Sequence, residues 1–331
     1  MKSKWYFLVL VSLLLCLAGC HTNTSATKGT RQLKIVTSFY PIYALTKTVS
    51  SDLNDVKMIQ SSQGIHDFEP STADVEAIYR ADVFIYHSHT LESWAGSLDP
   101  SLQGSKVKVI EAAKGLKLSR VEGLEDVPVT NNIDPARLYD PHSWNDPILL
   151  ADEAQNIAKQ LKKLDPKNAK TYQKNADDFS KSAKDLTAKY QEIFAKAKSK
   201  YFVTQHTAFY YLAKRFGLKQ LGISSVTNQE PSARQLAEIE EFVKTYKVKT
   251  IFVENAISTK AAKTITHSTG ASIQVLSPLE ADPQNNLSLL ENIEQNLKVL
   301  SQHLFVFFEI KKNGSSNRSI LNLQFLPNCF L

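Results

Sequence analysis

Cysteine is scarce in this sequence: its 331 residues include only Cys16, Cys20 and Cys329. Cys16 falls in an N-terminal segment expected to be removed and Cys20 is expected to carry lipid. That leaves one thiol, and no intrachain disulfide can form. Any metal would have to be held by imidazole and carboxylate rather than by a thiolate cluster. Long apolar runs are also missing. Trp5–Ala18 is too short for a comfortable membrane span, and the apolar Phe305–Phe308 meets Glu309, Lys311 and Lys312 almost at once. Charge is mild: the formal net value of +6 falls to +4 without Lys2 and Lys4, and no dense Arg/Lys stripe occurs. Nucleic acid is therefore not an expected partner. No His-Glu-x-x-His pattern is present either, which argues against a zinc hydrolase; an enzyme is not expected.

What the chain does have begins with an address. Lys2 and Lys4 precede the apolar run, and Leu17-Ala18-Gly19-Cys20 follows it. This pattern predicts a lipoprotein signal peptide over 1–19, with Cys20 as the lipidated first mature residue. Residues 20–32 are polar and read as a flexible tether. The protein is expected on the outer face of the cell membrane, anchored through the lipid on Cys20.

Short β-branched runs then alternate with helical patterns. Strands are predicted at Leu33–Ser38, Val56–Gln60, Asp82–His87 and Val107–Glu111, and again at Tyr201–Thr204, Gln220–Ile223, Thr250–Glu254 and Ile273–Leu276. Strand–helix alternation implies parallel sheets covered on both faces. The fold expected is α/β, two (β/α)4-type lobes, an N-terminal one over 33–165 and a C-terminal one over 199–303. Between them, over 166–198, Tyr172, Ala176, Phe179, Ala183, Leu186, Tyr190 and Ile193 recur every three or four residues and mark one face of a long linking helix. Lys114–Leu138 reads as a surface loop. Residues 304–331 read as an atypical extension.

Four widely spaced residues carry the chemistry: His66, His142, His206 and Glu280. Each is expected in a loop beside a strand end or helix start, two per lobe, all at the edge where open α/β sheets bind ligands. Three imidazoles and one carboxylate suit a single tetrahedral Zn²⁺, whereas manganese prefers more oxygen. Glu69, Asp140 and Asp146 are candidates to orient the imidazoles. His87 and His89 are candidates for the cleft mouth and for metal entry. Asp282 is an alternative to Glu280 as the acidic ligand.

Five segments have a familiar look: Ser38-Phe39-Tyr40-Pro41-Ile42-Tyr43, His66-Asp67-Phe68-Glu69-Pro70, Asp140-Pro141-His142-Ser143-Trp144-Asn145-Asp146-Pro147, Thr204-Gln205-His206-Thr207-Ala208-Phe209 and Pro278-Leu279-Glu280. Through them the chain resembles the metal-binding solute receptors of bacterial ABC transporters, and among these the streptococcal zinc-binding lipoproteins also described as laminin-binding. The resemblance runs from about Leu33 to His303. It implies two lobes joined by a rigid helix, with His66, His142, His206 and Glu280 gripping a metal between them. In manganese members of the family a carboxylate replaces the third histidine, so His206 points to zinc. The partners implied are a membrane permease with its ATPase and, for a second role in adhesion, host laminin. A monomer is expected.

Overall fold

The computed structural model describes residues 32–59, 65–121, 138–226, 229–255 and 258–305. The signal segment, Cys20, most of the tether, residues 122–137 of the expected loop and residues 306–331 lie outside them.

Two four-stranded parallel sheets form the frame. The first holds β1 (Lys34–Thr37), β2 (Asp55–Met58), β3 (Val83–Tyr86) and β4 (Lys108–Glu111), in the order β2-β1-β3-β4. The second holds β5 (Tyr201–His206), β6 (Lys219–Ser224), β7 (Thr250–Val253) and β8 (Ser272–Val275), in the equivalent order β6-β5-β7-β8. The helices are α1 (Tyr40–Ser50), α2 (Thr72–Arg80), α3 (Ser93–Leu102), α4 (Pro147–Leu164), α5 (Ala169–Ala195), α6 (Tyr210–Arg215), α7 (Ala233–Thr245), α8 (Lys260–Thr269) and α9 (Leu289–Leu304). The two-lobe α/β expectation is borne out. One local difference matters: His206 is the last residue of β5 rather than a loop residue.

Side-chain alternation sorts the cores. In β3, Val83 and Ile85 face a central apolar cluster, while Phe84 and Tyr86 face an outer one. In β5 and β7, Phe202 and Phe252 join the same central cluster, while Val203, Ile251 and Val253 face a third. The central cluster therefore runs unbroken from Ile35 through Tyr172 and Phe194 to Leu304.

The 27 residues of α5 span about 40 Å. Near its start Tyr172 Oη accepts from Asn54 Nδ2 at 3.0 Å, and near its end Phe194 packs on Phe216, ring centroids 5.4 Å apart. The helix is thus fastened to both lobes. Helix starts follow their side chains: Ser71/Asp74, Ser232/Gln235 and Ser288/Glu291 form reciprocal caps at α2, α7 and α9. Pro147 occupies the first turn of α4, and the Asp146 carboxylate accepts from Ile148 N at 2.8 Å.

Candidate metal centre

Three of the four candidate ligands end or follow a strand, and the fourth opens a helix. His66 lies on the 3-10 turn Ile65–Asp67 that follows β2 and the undescribed residues 60–64. His142 precedes the 3-10 turn Ser143–Asn145 that leads into α4. His206 ends β5, and Glu280 follows β8. Leu279 adopts φ +60°, a left-handed conformation that is costly for a leucine. Leu279 is itself buried, so packing holds the strained turn that presents Glu280.

One potential ligand atom from each residue lies within 4.8 Å of the others, the one such group among the described residues. His142 Nε2 is 3.2 Å from His66 Nε2 and 3.3 Å from His206 Nε2. Glu280 Oε1 is 3.4, 3.5 and 3.3 Å from the Nε2 atoms of His66, His142 and His206. Donors about 2.0–2.1 Å from a tetrahedral zinc stand about 3.3–3.4 Å from one another. Those five separations match the edges of such a tetrahedron. Glu280 Oε1 is buried without a hydrogen-bond partner, as an atom facing a cation site would be. The His142 and His206 side chains have no exposure, against 8% for His66 and 10% for Glu280, so solvent reaches the cluster past the latter two.

Two buried carboxylates set the tautomers. Asp140 Oδ1 is 2.8 Å from His142 Nδ1 and also accepts from His142 N at 2.9 Å. Glu254 Oε1 is 2.5 Å from His206 Nδ1. With Nδ1–H donated outward, each Nε2 lone pair faces the centre. Burial alone would lower the pKa of His206. The hydrogen bond to Glu254 and the Glu280 carboxylate outweigh it and raise the imidazole to about 10. His142 is also raised, because Asp140 and Glu280 overcome its burial. Burial would raise Glu280, but the three imidazoles hold its carboxyl well below the usual range. Protons thus compete for the space a cation would fill.

The segment bearing His142 is clasped to the second lobe. Tyr211 Oη donates to Asp140 O at 2.6 Å, Trp144 Nε1 to Pro278 O at 2.7 Å, and Asn145 Nδ2 to Ala208 O at 3.0 Å. Asp146 does not orient an imidazole. It caps α4 and holds Arg215 Nε at 2.9 and 3.1 Å through its two oxygens. Glu69 is exposed. Asp282 turns back to accept from Gln284 N at 2.8 Å and stands outside the cluster.

His87 is not at the cleft mouth. It is fully buried beneath Trp144, ring centroids 5.1 Å apart, with Nδ1 at 2.9 Å from Ser88 Oγ and Nε2 at 2.9 Å from Ser143 Oγ. Glu153 Oε1, 3.3 Å from that Nε2, accepts from Ser143 Oγ at 2.7 Å. His89 is half-exposed and meets Tyr86 Oη at 2.8 Å, away from the cluster. Glu254 and Glu153 are the residues sequence reasoning missed. Glu254 carried a usable signal, an acid at the carboxyl end of a strand.

The family model described as "Zinc-uptake complex component A periplasmic" (ZnuA) matches residues 35–303. The chain belongs to this family. It is 36% identical over 321 residues to the high-affinity zinc uptake system protein ZnuA of Bacillus subtilis, covering 92% of this chain and 99% of that protein. It is 36% identical over 298 residues to the zinc-binding lipoprotein AdcA of Streptococcus pneumoniae, covering 87% of this chain but 58% of that longer protein. Among solved structures, a Zn(II)-bound mutant variant of AdcAII from Streptococcus pneumoniae is 60% identical, with TM-score 0.78, over 82% of this chain and 98% of that one. The laminin-binding protein Lmb of Streptococcus agalactiae, described as bifunctional with adhesin and metal-transporting activity, is 57% identical, with TM-score 0.76, over 83% and 100%.

Proposed function

We propose that this protein captures Zn²⁺ outside the cell through His66, His142, His206 and Glu280 and delivers it to an ABC permease driven by an ATPase. The observation that carries this reading is the tetrahedron of three imidazole nitrogens and one unpartnered carboxylate oxygen, with edges of 3.2–3.5 Å. Four protein donors leave no open position for a catalytic water, so binding rather than hydrolysis is the chemistry supported. The nitrogen-rich set favours zinc over manganese. Binding displaces protons from His142 and His206, so affinity rises with pH. Residues 33–165 and 199–303 act as the two jaws and 166–198 as the brace. The lipid on Cys20 keeps a monomeric receptor at the membrane face.

Calorimetry with zinc on the wild type and on His206→Ala tests the site. The variant is expected to lose at least about a hundredfold in affinity, and unchanged affinity would remove the cluster from the argument. Protein purified without added metal is expected to carry zinc at about one ion per chain; manganese in its place would overturn the selectivity.

The 57% identity to Lmb supports a second reading, adhesion to laminin. Laminin capture that persists after zinc is stripped and His206 replaced would separate it from transport. Capture lost with zinc would tie the two together.

A further inference from the structure

The second lobe carries another surface, on the edge of its sheet away from the His/Glu cluster. The amino-terminal ends of parallel strands share one edge, and here that edge is lysine. Lys219 opens β6, and its N–H donates to Lys200 O, just before β5, at 2.7 Å. Lys249 precedes β7, and its carbonyl accepts from Ser272 N at 2.9 Å. The register pairs Tyr201 with Lys219 and Val203 with Ile251, which sets Lys249 level with Tyr201. Adjacent strands are about 4.8 Å apart, so Lys219 and Lys249, with Tyr201 between them, share a row about 10 Å long, while the Lys200 ammonium turns back to Phe194 O. Lys247, at φ +53°, widens it, and Lys244 at the end of α7 lies beyond, 4.0 Å from Glu240.

No carboxylate lies in the chain between Glu192 and Glu230, between Glu241 and Glu254, or between Glu254 and Glu280. Lys219, Lys247 and Lys249 are exposed, and among the described residues none of them pairs with an acid. On α5 the situation is different, with Lys174 and Lys181 seated on Asp178 and Asp185 one turn away at 2.5 and 2.7 Å. Attraction to a helix carboxyl end accounts for Lys244 but not for lysines that begin strands.

Two features beside the row suit a sugar. The Tyr201 and Tyr246 rings pack at a 32° tilt with centroids 4.1 Å apart, Phe242 backs both, and Tyr246 remains 42% exposed. Lys219 Nζ stands 5.8 Å from the Tyr201 ring centroid. Next to them opens a cavity of about 220 Å³ lined in part by Ser199, Lys247, Lys249, Thr250, Gln302 and His303, cations and hydrogen-bonding groups with no acid.

We propose that this pole of the second lobe docks a sulfated polysaccharide chain, with sulfates on the lysine row and a sugar ring on the Tyr246 face. A lipid surface fits less well. Separate cations beside an exposed aromatic face match a chain that alternates sulfates with sugar rings, whereas a headgroup layer offers the Tyr246 ring nothing to pack on. The inference does not depend on the metal reading, since none of these residues belongs to the His/Glu cluster.

Heparin is the probe, titrated calorimetrically into the mature chain at several salt concentrations. The triple variant Lys219→Gln/Lys247→Gln/Lys249→Gln is expected to lose about tenfold or more in affinity at low salt. Its slope of log affinity against log salt should fall by about three, one per lysine removed. Tyr246→Ser should weaken binding severalfold with the slope unchanged. Zinc affinity should stay at the wild-type value in both, melting temperature should stay so in the triple variant, and Lys174→Gln/Lys181→Gln should bind heparin normally. Wild-type heparin affinity in the triple variant would overturn the proposal, as would equal loss in the α5 control. So would capture of the wild type by phosphatidylglycerol vesicles but not by heparin.

Discussion

Replacing Glu254 by Gln isolates the charge behind His206. Gln keeps an oxygen to accept Nδ1–H, so the tautomer and the aim of Nε2 survive, while the carboxylate 2.5 Å from the imidazole is lost. Two effects then oppose each other. The carboxylate makes Nε2 a stronger donor to zinc, and outer partners of this kind are worth about 10–100-fold in affinity. It also helps lift the His206 pKa to about 10. At pH 7 zinc must therefore displace a proton across about three pH units, at about 1.4 kcal/mol each, a cost of about 4 kcal/mol. Removing the charge forfeits the first effect and relieves part of the second. Above about pH 10 the proton has gone in both proteins, and Glu254→Gln is expected to bind zinc about 10–100-fold more weakly. Toward about pH 6 the gap should close to a fewfold. Competition titrations against a chelating indicator across that range, corrected for zinc hydrolysis, measure the ratio. Calorimetry in two buffers of different ionisation enthalpy counts released protons, fewer in the variant at pH 7. An affinity ratio that is the same at every pH, with equal proton release, would refute the reasoning.

Other expectations follow from the same geometry. The folded-state pKa of His206, about 10, exceeds its ordinary 6.5, so the stability it gives the metal-free protein is whole below pH 6.5 and lost as pH rises through about 10. Glu280 is lowered, so its contribution is present above about pH 4.5 and lost on acidification. The metal-free melting temperature should therefore fall from pH 6.5 to 10 while the rise on adding zinc grows, and scanning calorimetry that finds both flat would contradict this. Trp144→Phe deletes the 2.7 Å bond to Pro278 O and leaves that carbonyl unsatisfied beside the Glu280 turn; zinc should dissociate about tenfold faster in stopped-flow chelator chase, and an unchanged rate would count against the clasp. His87→Ala leaves buried Glu153 with Ser143 Oγ alone and should destabilise the metal-free fold by about 3 kcal/mol in urea denaturation; a loss below about 1 kcal/mol would show that the imidazole contact adds little to the fold.

Much of the frame was legible in the sequence. β-branched runs at Lys34–Thr37, Val83–Tyr86 and Thr250–Val253 alternate with capped helices, and parallel strands so spaced admit few arrangements. The four candidate donors were legible because each sits at a carboxyl strand end or a helix start. Depth was not legible: nothing along the chain says that His87, one residue beyond β3, turns under Trp144 while His66, well beyond β2, reaches the centre. Asp146 illustrates a different limit. An Asp-Pro pair at a helix start is a cap by local rules, and only tertiary packing adds Arg215 to it. The lysine row was invisible for the same reason, since Lys219 and Lys249 come from separate segments on either side of β5 and meet only through strand pairing.

The apolar cluster that threads both sheets and α5 has a consequence for how the molecule comes apart. Each half keeps a smaller cluster of its own, but the largest belongs to neither alone. Cutting the gene near residue 165 would hand each fragment a flayed seam of aromatic and aliphatic side chains, and such pieces would clump rather than fold. Heat or urea should dissolve the whole in one step, and a receptor that melts all at once gives extracellular proteases no half-opened form to trim.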